Sequence, residues 1–193
     1  MSSISLIVGL GNPGKEYAQT RHNAGFWFVE QLADRYGINL KADPKFHGYS
    51  GRGQVEGHDV RLLLPTTFMN RSGQSVAPFA KFYQVAPESI LIAHDELDMD
   101  PGVIRLKTGG GHGGHNGLRD IVPHIGPNFH RLRIGIGHPG SKERVSGHVL
   151  GKAPSSEQAL MDAAIAHALS QVKMLVSGQV PQAMNQINAY KPA

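Results

Sequence analysis

Four polar strings in this chain each follow or close a short apolar run, and that alternation restricts the fold more than any other feature. After the run at 4–8 come Gly9-Leu10-Gly11-Asn12-Pro13-Gly14 and then Arg21-His22-Asn23. After Leu62-Leu63-Leu64 comes Pro65-Thr66-Thr67-Phe68-Met69-Asn70, and after Leu91-Ile92-Ala93 comes His94-Asp95-Glu96-Leu97-Asp98. The fourth string is Gly109-Gly110-Gly111-His112-Gly113-Gly114-His115-Asn116-Gly117. Short apolar runs bounded by turn residues read as buried strands. In open α/β sheets, ligands bind where such strands end. The strings supply amides, imidazoles and a carboxylate, and the chain has no cysteine. That set suits an activated water better than a protein nucleophile.

Helical stripes lie between the runs. Residues 24–36 place Phe28, Val29, Leu32 and Ala33 on one side, with Gly37 as a stop. Residues 46–55 and 58–64 flank Glu56-Gly57 and read as a hairpin. A helix is predicted at 72–83 with Pro78 inside it, strands at 90–93, 103–107 and 132–136, and a short helix at 117–122 stopped by Pro123. A long helix is predicted at 155–176, capped by Ser155 or Ser156, and a last helix at 180–190. Strands alternating with helices, plus one hairpin, predict a mixed sheet flanked by helices in three α/β/α layers. At 193 residues with 40% hydrophobic content, a single domain over 1–193 is expected.

The bulk numbers narrow the classes. Without cysteine there are no disulfides and no thiolate metal sites, which fits a reducing compartment. The first ten residues lack a basic head before their apolar run, and no run approaches the roughly 20 residues of a membrane helix. The expected setting is the cytoplasm, with no membrane partner. A net charge of +4 and a pI near 9.4 favour a polyanionic partner such as nucleic acid.

Each motif also has a plainer reading. Gly9-Leu10-Gly11-Asn12-Pro13-Gly14 matches a dinucleotide fingerprint, but residues 15–23 are polar and carry no helical stripe. A turn that aims Asn12 into a cleft at the strand's end suits the string better. His22 is suited to proton transfer because its free pKa is about 6.5, provided that a carboxylate is close. Asp95 is the best candidate, directly after an apolar strand; Asp98 and Asp100 read as turn residues before Pro101. His94, His112, His115 and Asp95 could be drawn as a metal site, but a glycine loop does not hold two imidazoles on one face as a helix does. The loop is better suited to presenting backbone N–H groups, and it lacks the nucleotide P-loop pattern. Met69 reads as packing and Asn70 as a helix cap or a pocket residue. Arg105 and Lys107 share one strand face, as do Arg131 and Arg133. Such charges form either a solvated face or a phosphate clamp. Lys142, Arg144 and Lys152 lie in a stretch, 138–152, that reads as a mobile cover.

Taken together, these strings, with Thr20-Arg21-His22-Asn23-Ala24-Gly25 and Arg131-Leu132-Arg133-Ile134-Gly135, resemble the bacterial peptidyl-tRNA hydrolase family nearly end to end. The connection at 121–129 is short for that family. The resemblance implies hydrolysis of the ester joining a peptide to the 3′ ribose of tRNA, recycling tRNA from prematurely released peptidyl-tRNA. It implies His22 as general base, Asp95 as the group holding its ring, and Asn12 as the sensor of the acylated amine. Tyr17, Phe68, Met69, Asn70, His115 and Asn116 are implied substrate-binding residues. Lys107 and Arg133, with Arg105 nearby, are the implied phosphate clamp. The expected partner is the acceptor stem and CCA end of peptidyl-tRNA, bound by a monomer that needs no metal or cofactor. Two rivals are an RNA-binding module without catalysis and a dinucleotide-dependent oxidoreductase.

Overall fold

In the computed structural model, which describes residues 2–193, one seven-stranded mixed sheet runs in the order β2-β3-β4-β1-β5-β7-β6. The strands are β1 (Leu6–Gly9), β2 (Lys41–Asp43), β3 (Gly48–Val55), β4 (His58–Pro65), β5 (Ile90–Glu96), β6 (Ile104–Thr108) and β7 (His130–Gly135). The central strands β4, β1, β5 and β7 are parallel, and β3 and β6 run against their neighbours β4 and β7.

Alternation along the strands divides the interior into two cores. Ile7, Leu62, Leu91 and Leu132 face one layer, formed by α1 (Ala24–Tyr36), α5 (Ser155–Ser170), α6 (Val172–Val176) and α7 (Val180–Asn188). Leu6, Val8, Leu63 and Ile92 face the other, formed by α2 (Gly73–Phe82) and α3 (Asn116–Ile125). This is the expected three-layer arrangement, and α1 ends as expected on Gly37 in the left-handed conformation.

Four sequence expectations change. The short helix continues through Pro123 to Ile125, forgoing the one N–H that would meet the Arg119 carbonyl four residues back, and Gly126 N–H closes the end on the Val122 carbonyl. The predicted long helix breaks at Gln171 into α5 and α6, and Ser155 is its first residue, with no side-chain cap. Phe46 belongs to a 3₁₀ turn, Pro44–Phe46, rather than to the hairpin, and the three-residue β2 adds an edge strand. The 138–152 stretch contains a five-residue helix, α4 (Val145–Val149).

One close approach fixes the site. The start of α1 lies flush on the sheet: a Cβ built on Gly25 would stand 2.2 Å from the Ala93 carbonyl oxygen and 2.6 Å from the Leu10 nitrogen. Only glycine allows this contact. It brings Arg21-His22-Asn23, which immediately precedes α1, to the carboxyl ends of β1 and β5.

Candidate active site

Asp95 is the last residue but one of β5 and is 3% exposed, and both of its carboxylate oxygens are engaged. Oδ2 lies 2.7 Å from His22 Nδ1, and Oδ1 lies 2.8 Å from His115 Nε2. His115 is the N-cap of α3, where its Nδ1 accepts from the backbone N–H groups of Gly117 and Leu118. An imidazole nitrogen that accepts carries no proton, so His115 is protonated on Nε2 and donates to Asp95. The second carboxylate oxygen is then left for His22 Nδ1–H, and the bare nitrogen of His22 is Nε2.

The electrostatics agree. Burial by itself lowers the His22 pKa, but the charge and hydrogen bond of Asp95 outweigh it and raise the value above the ordinary histidine range. Burial would raise the Asp95 carboxyl, yet the adjoining His22 and His115 hold it well below the usual carboxylate range.

His22, Asp95 and His115 also form the one trio among the described residues with metal-ligand spacing. The donor set does not suit an ion. A metal on His115 Nε2 would force the ring proton onto Nδ1, against the two N–H groups that this atom accepts.

Asn12 is locked from both sides. Its backbone N–H donates to Asn23 Oδ1 at 2.8 Å, its carbonyl accepts from Asn23 Nδ2 at 3.0 Å, and its own Oδ1 accepts the Met69 N–H at 2.8 Å. With Oδ1 engaged, the group that Asn12 presents to the cleft is its Nδ2 amide. Phe68 holds a positive φ of 62° and is 50% exposed, with its ring edge-to-face with Tyr17 at 6.1 Å.

These groups enclose a cavity of about 660 Å³, lined by Asn12, His22, Phe68, Met69, Asn70, Asp95, His115 and Asn116. Val145, Val149 and Leu150 give it an apolar flank from α4 and its end, and Arg119 and Lys142 add positive charge. Met69 is buried, so its share in the wall is mainly packing. Tyr17 touches the site through Phe68.

The proposed clamp residues lie outside this cavity, on β6 and β7. The register pairs Arg105 with Arg133 and Lys107 with Arg131, which puts all four on one sheet face. Lys107 is exposed, and Arg133 Nε donates to Glu96 Oε1 at 3.0 Å, linking the strip to the residue after Asp95. Arg131 departs from the sequence reading of a clamp. It is buried, and its guanidinium donates to the carbonyls of Gly110, Gly111 and Pro127, holding down the glycine loop. Sequence reasoning gave no individual role to Asn23 or Glu96, and weighed His94 only as a metal ligand. All three lie inside the singled-out strings, but pairing with Asn12, Arg133 or a backbone carbonyl has no signature in spacing.

The family model for peptidyl-tRNA hydrolase matches residues 6–193. The chain belongs to the peptidyl-tRNA hydrolase family. It is thus an enzyme of the hydrolase class. Among curated members, a peptidyl-tRNA hydrolase of Acinetobacter baumannii is 89% identical over 193 residues, covering 100% of both chains. One from Psychrobacter cryohalolentis is 62% identical over 189 residues, covering 98% of each. The crystal structure of peptidyl-tRNA hydrolase from Acinetobacter baumannii superposes with a TM-score of 0.99 at 89% identity, over 100% of this chain and 98% of that one. Among the described residues, no helix is long and apolar enough to cross a membrane.

The His22–Asp95 pair predicts a specific titration. In the wild type, the His22 midpoint read by NMR lies above about 6.5. In Asp95→Asn the burial persists and the opposing charge is gone, so the midpoint falls below that value. The same midpoint in both proteins would mean that the carboxylate does not govern the ring.

Proposed function

We propose that this enzyme cleaves the ester between a peptide and the 3′ ribose of tRNA with a water activated at His22 Nε2, and so recycles tRNA from prematurely released peptidyl-tRNA. The observation that carries this reading is the double engagement of Asp95, which leaves that nitrogen as the open base beside the cavity. The water loses its proton to Nε2 as it attacks the ester carbonyl, and the imidazolium forms against Asp95. The proton then returns to the departing ribose oxygen. General-base help of this kind is worth about 10²–10⁴-fold. An ester needs no stronger nucleophile, because an alkoxide leaves far more readily than an amide nitrogen.

The remaining residues have complementary roles. The Asn12 Nδ2 amide faces the acylated amine and peptide, separating peptidyl-tRNA from free aminoacyl-tRNA. Asn70 and Asn116 offer amide N–H groups to the oxyanion or the peptide backbone; one such donor is typically worth about 3–4 kcal/mol. Phe68 and Tyr17 provide faces for the terminal bases, since stacking tolerates any base. Met69 backs this wall, and His115 holds Asp95 in place. Lys107 and Arg133, with Arg105 beside them, take acceptor-stem phosphates, consistent with a forked or pointlike cation meeting a phosphate oxygen. The partner is the acceptor stem and CCA end. A monomer in the cytoplasm suffices, because every group named comes from one chain.

His22→Ala should lower peptide release from peptidyl-tRNA by roughly 10²–10⁴-fold while tRNA binding persists; a folded variant with strong activity would remove His22 as the base. Lys107→Ala combined with Arg133→Ala should raise KM, leave kcat nearly unchanged, and flatten the dependence of log KM on log salt by roughly one to two units. An unchanged slope would place the phosphates elsewhere.

A further inference from the structure

His94 is a buried imidazole that the chemistry above leaves unused. Its place in the sheet gives it a task. Carbonyls alternate sides along a strand. On β5, the Ala93 carbonyl faces β1 and accepts from Leu10 N–H at 3.0 Å, and the Glu96 carbonyl faces β7 and accepts from Ile136 N–H at 3.0 Å. The Asp95 carbonyl therefore faces the β1 side. There the pairing of β1 with β5 has already ended, at Gly9 and Ala93. This is where the sheet opens to form the catalytic cleft, and the carbonyl has lost its strand partner at the residue that carries the catalytic carboxylate.

The partner is His94. Its Nδ1 lies 2.8 Å from the Asp95 carbonyl oxygen. A carbonyl only accepts, so Nδ1 carries the proton and Nε2 is bare. The ring packs edge-on against His115 at 4.8 Å. We propose that His94 is a positioning residue for the reaction: it replaces the missing strand partner at the Asp95 carbonyl, and so fixes the carboxylate that orients His22.

Its surroundings keep it in the required form. The groups facing it are His115 from the start of α3, Arg131 from β7 and Asp95 on its own strand. Burial, with His115 and Arg131 adding to it, pushes His94 down to about 3 against the opposing pull of Asp95. The ring therefore stays neutral, and its Nδ1–H stays on the carbonyl, through the range in which His22 titrates. Phenylalanine would fill the same space but leave the carbonyl unpaired, and an unpaired buried carbonyl is costly.

The inference rests on the role given to the His22–Asp95 pair, and its tests separate the two. His94→Phe should lower kcat roughly tenfold, the scale of one lost hydrogen bond, with KM unchanged. The acid limb of its pH–rate profile should move toward lower pH, as Asp95 loosens its hold on His22. His94→Asn keeps an N–H donor and should recover most of both effects. A His94→Phe enzyme with wild-type kcat and acid limb overturns the proposal. So does an equal rate loss in both variants with the limb unmoved, which would mark a purely structural residue. Should the variants not fold, imidazole ¹⁵N NMR of the wild type decides without any activity assay. His94 should show Nδ1–H and a bare Nε2, without titrating, from about pH 5 to about pH 9; an Nε2–H form or a titration in that range would contradict it.

Discussion

Asp95 is buried at the end of β5 with both oxygens occupied, and the rest of the site follows from that occupancy. A buried carboxylate is tolerated only when paired, and here the partners are two imidazoles on either side. His115 cannot exchange roles with His22, because its far nitrogen is committed to the first turn of α3. In the proposed mechanism this asymmetry makes one ring a fixed prop and the other the base open to the cavity. No metal is needed to explain why these three residues meet.

The fold supplies the precision that this arrangement requires. Asp95, Asn12, Met69 and His115 come from four separated stretches of chain, and each is held by a backbone contact rather than by side-chain packing alone. Gly25 lets the start of α1 touch the sheet, Met69 N–H fixes the Asn12 amide, and Arg131 gathers the carbonyls of the glycine loop. A shift of about 1 Å in any of them would misplace a reacting group, and errors of that size cost catalysis heavily. The basic strip on β6 and β7 stands apart from the cavity and is joined to it by the Glu96–Arg133 pair, so the proposed phosphate clamp and the proposed reaction site adjoin.

Much of this was legible in the sequence, for a physical reason. Buried parallel strands are short apolar runs, and a cavity at their carboxyl ends is lined by residues that follow those runs directly, as Asn12, Phe68, Asn70 and Asp95 do. The three-layer architecture followed from the alternation of strands and helices. What was hidden is what depends on pairing across the chain. Arg131 and Arg133 look alike two residues apart, yet one is buried under a loop and the other is held at its edge by Glu96. The stripe of α5 runs on into Val172 and conceals the break at Gln171, because apolar periodicity does not register one non-helical residue. β2 is too short and too polar for any pattern, and α4 carries Gly147 at its centre, which reads as loop.

The central claim is that His22 and Asp95 act as one catalytic unit. Peptide release from peptidyl-tRNA by His22→Ala, Asp95→Ala and the double variant tests it most directly. If Asp95 works through His22, the double variant is no slower than His22→Ala alone. Losses that multiply, with the double variant slower by the product of the two single effects, would show two independent contributions and contradict the account.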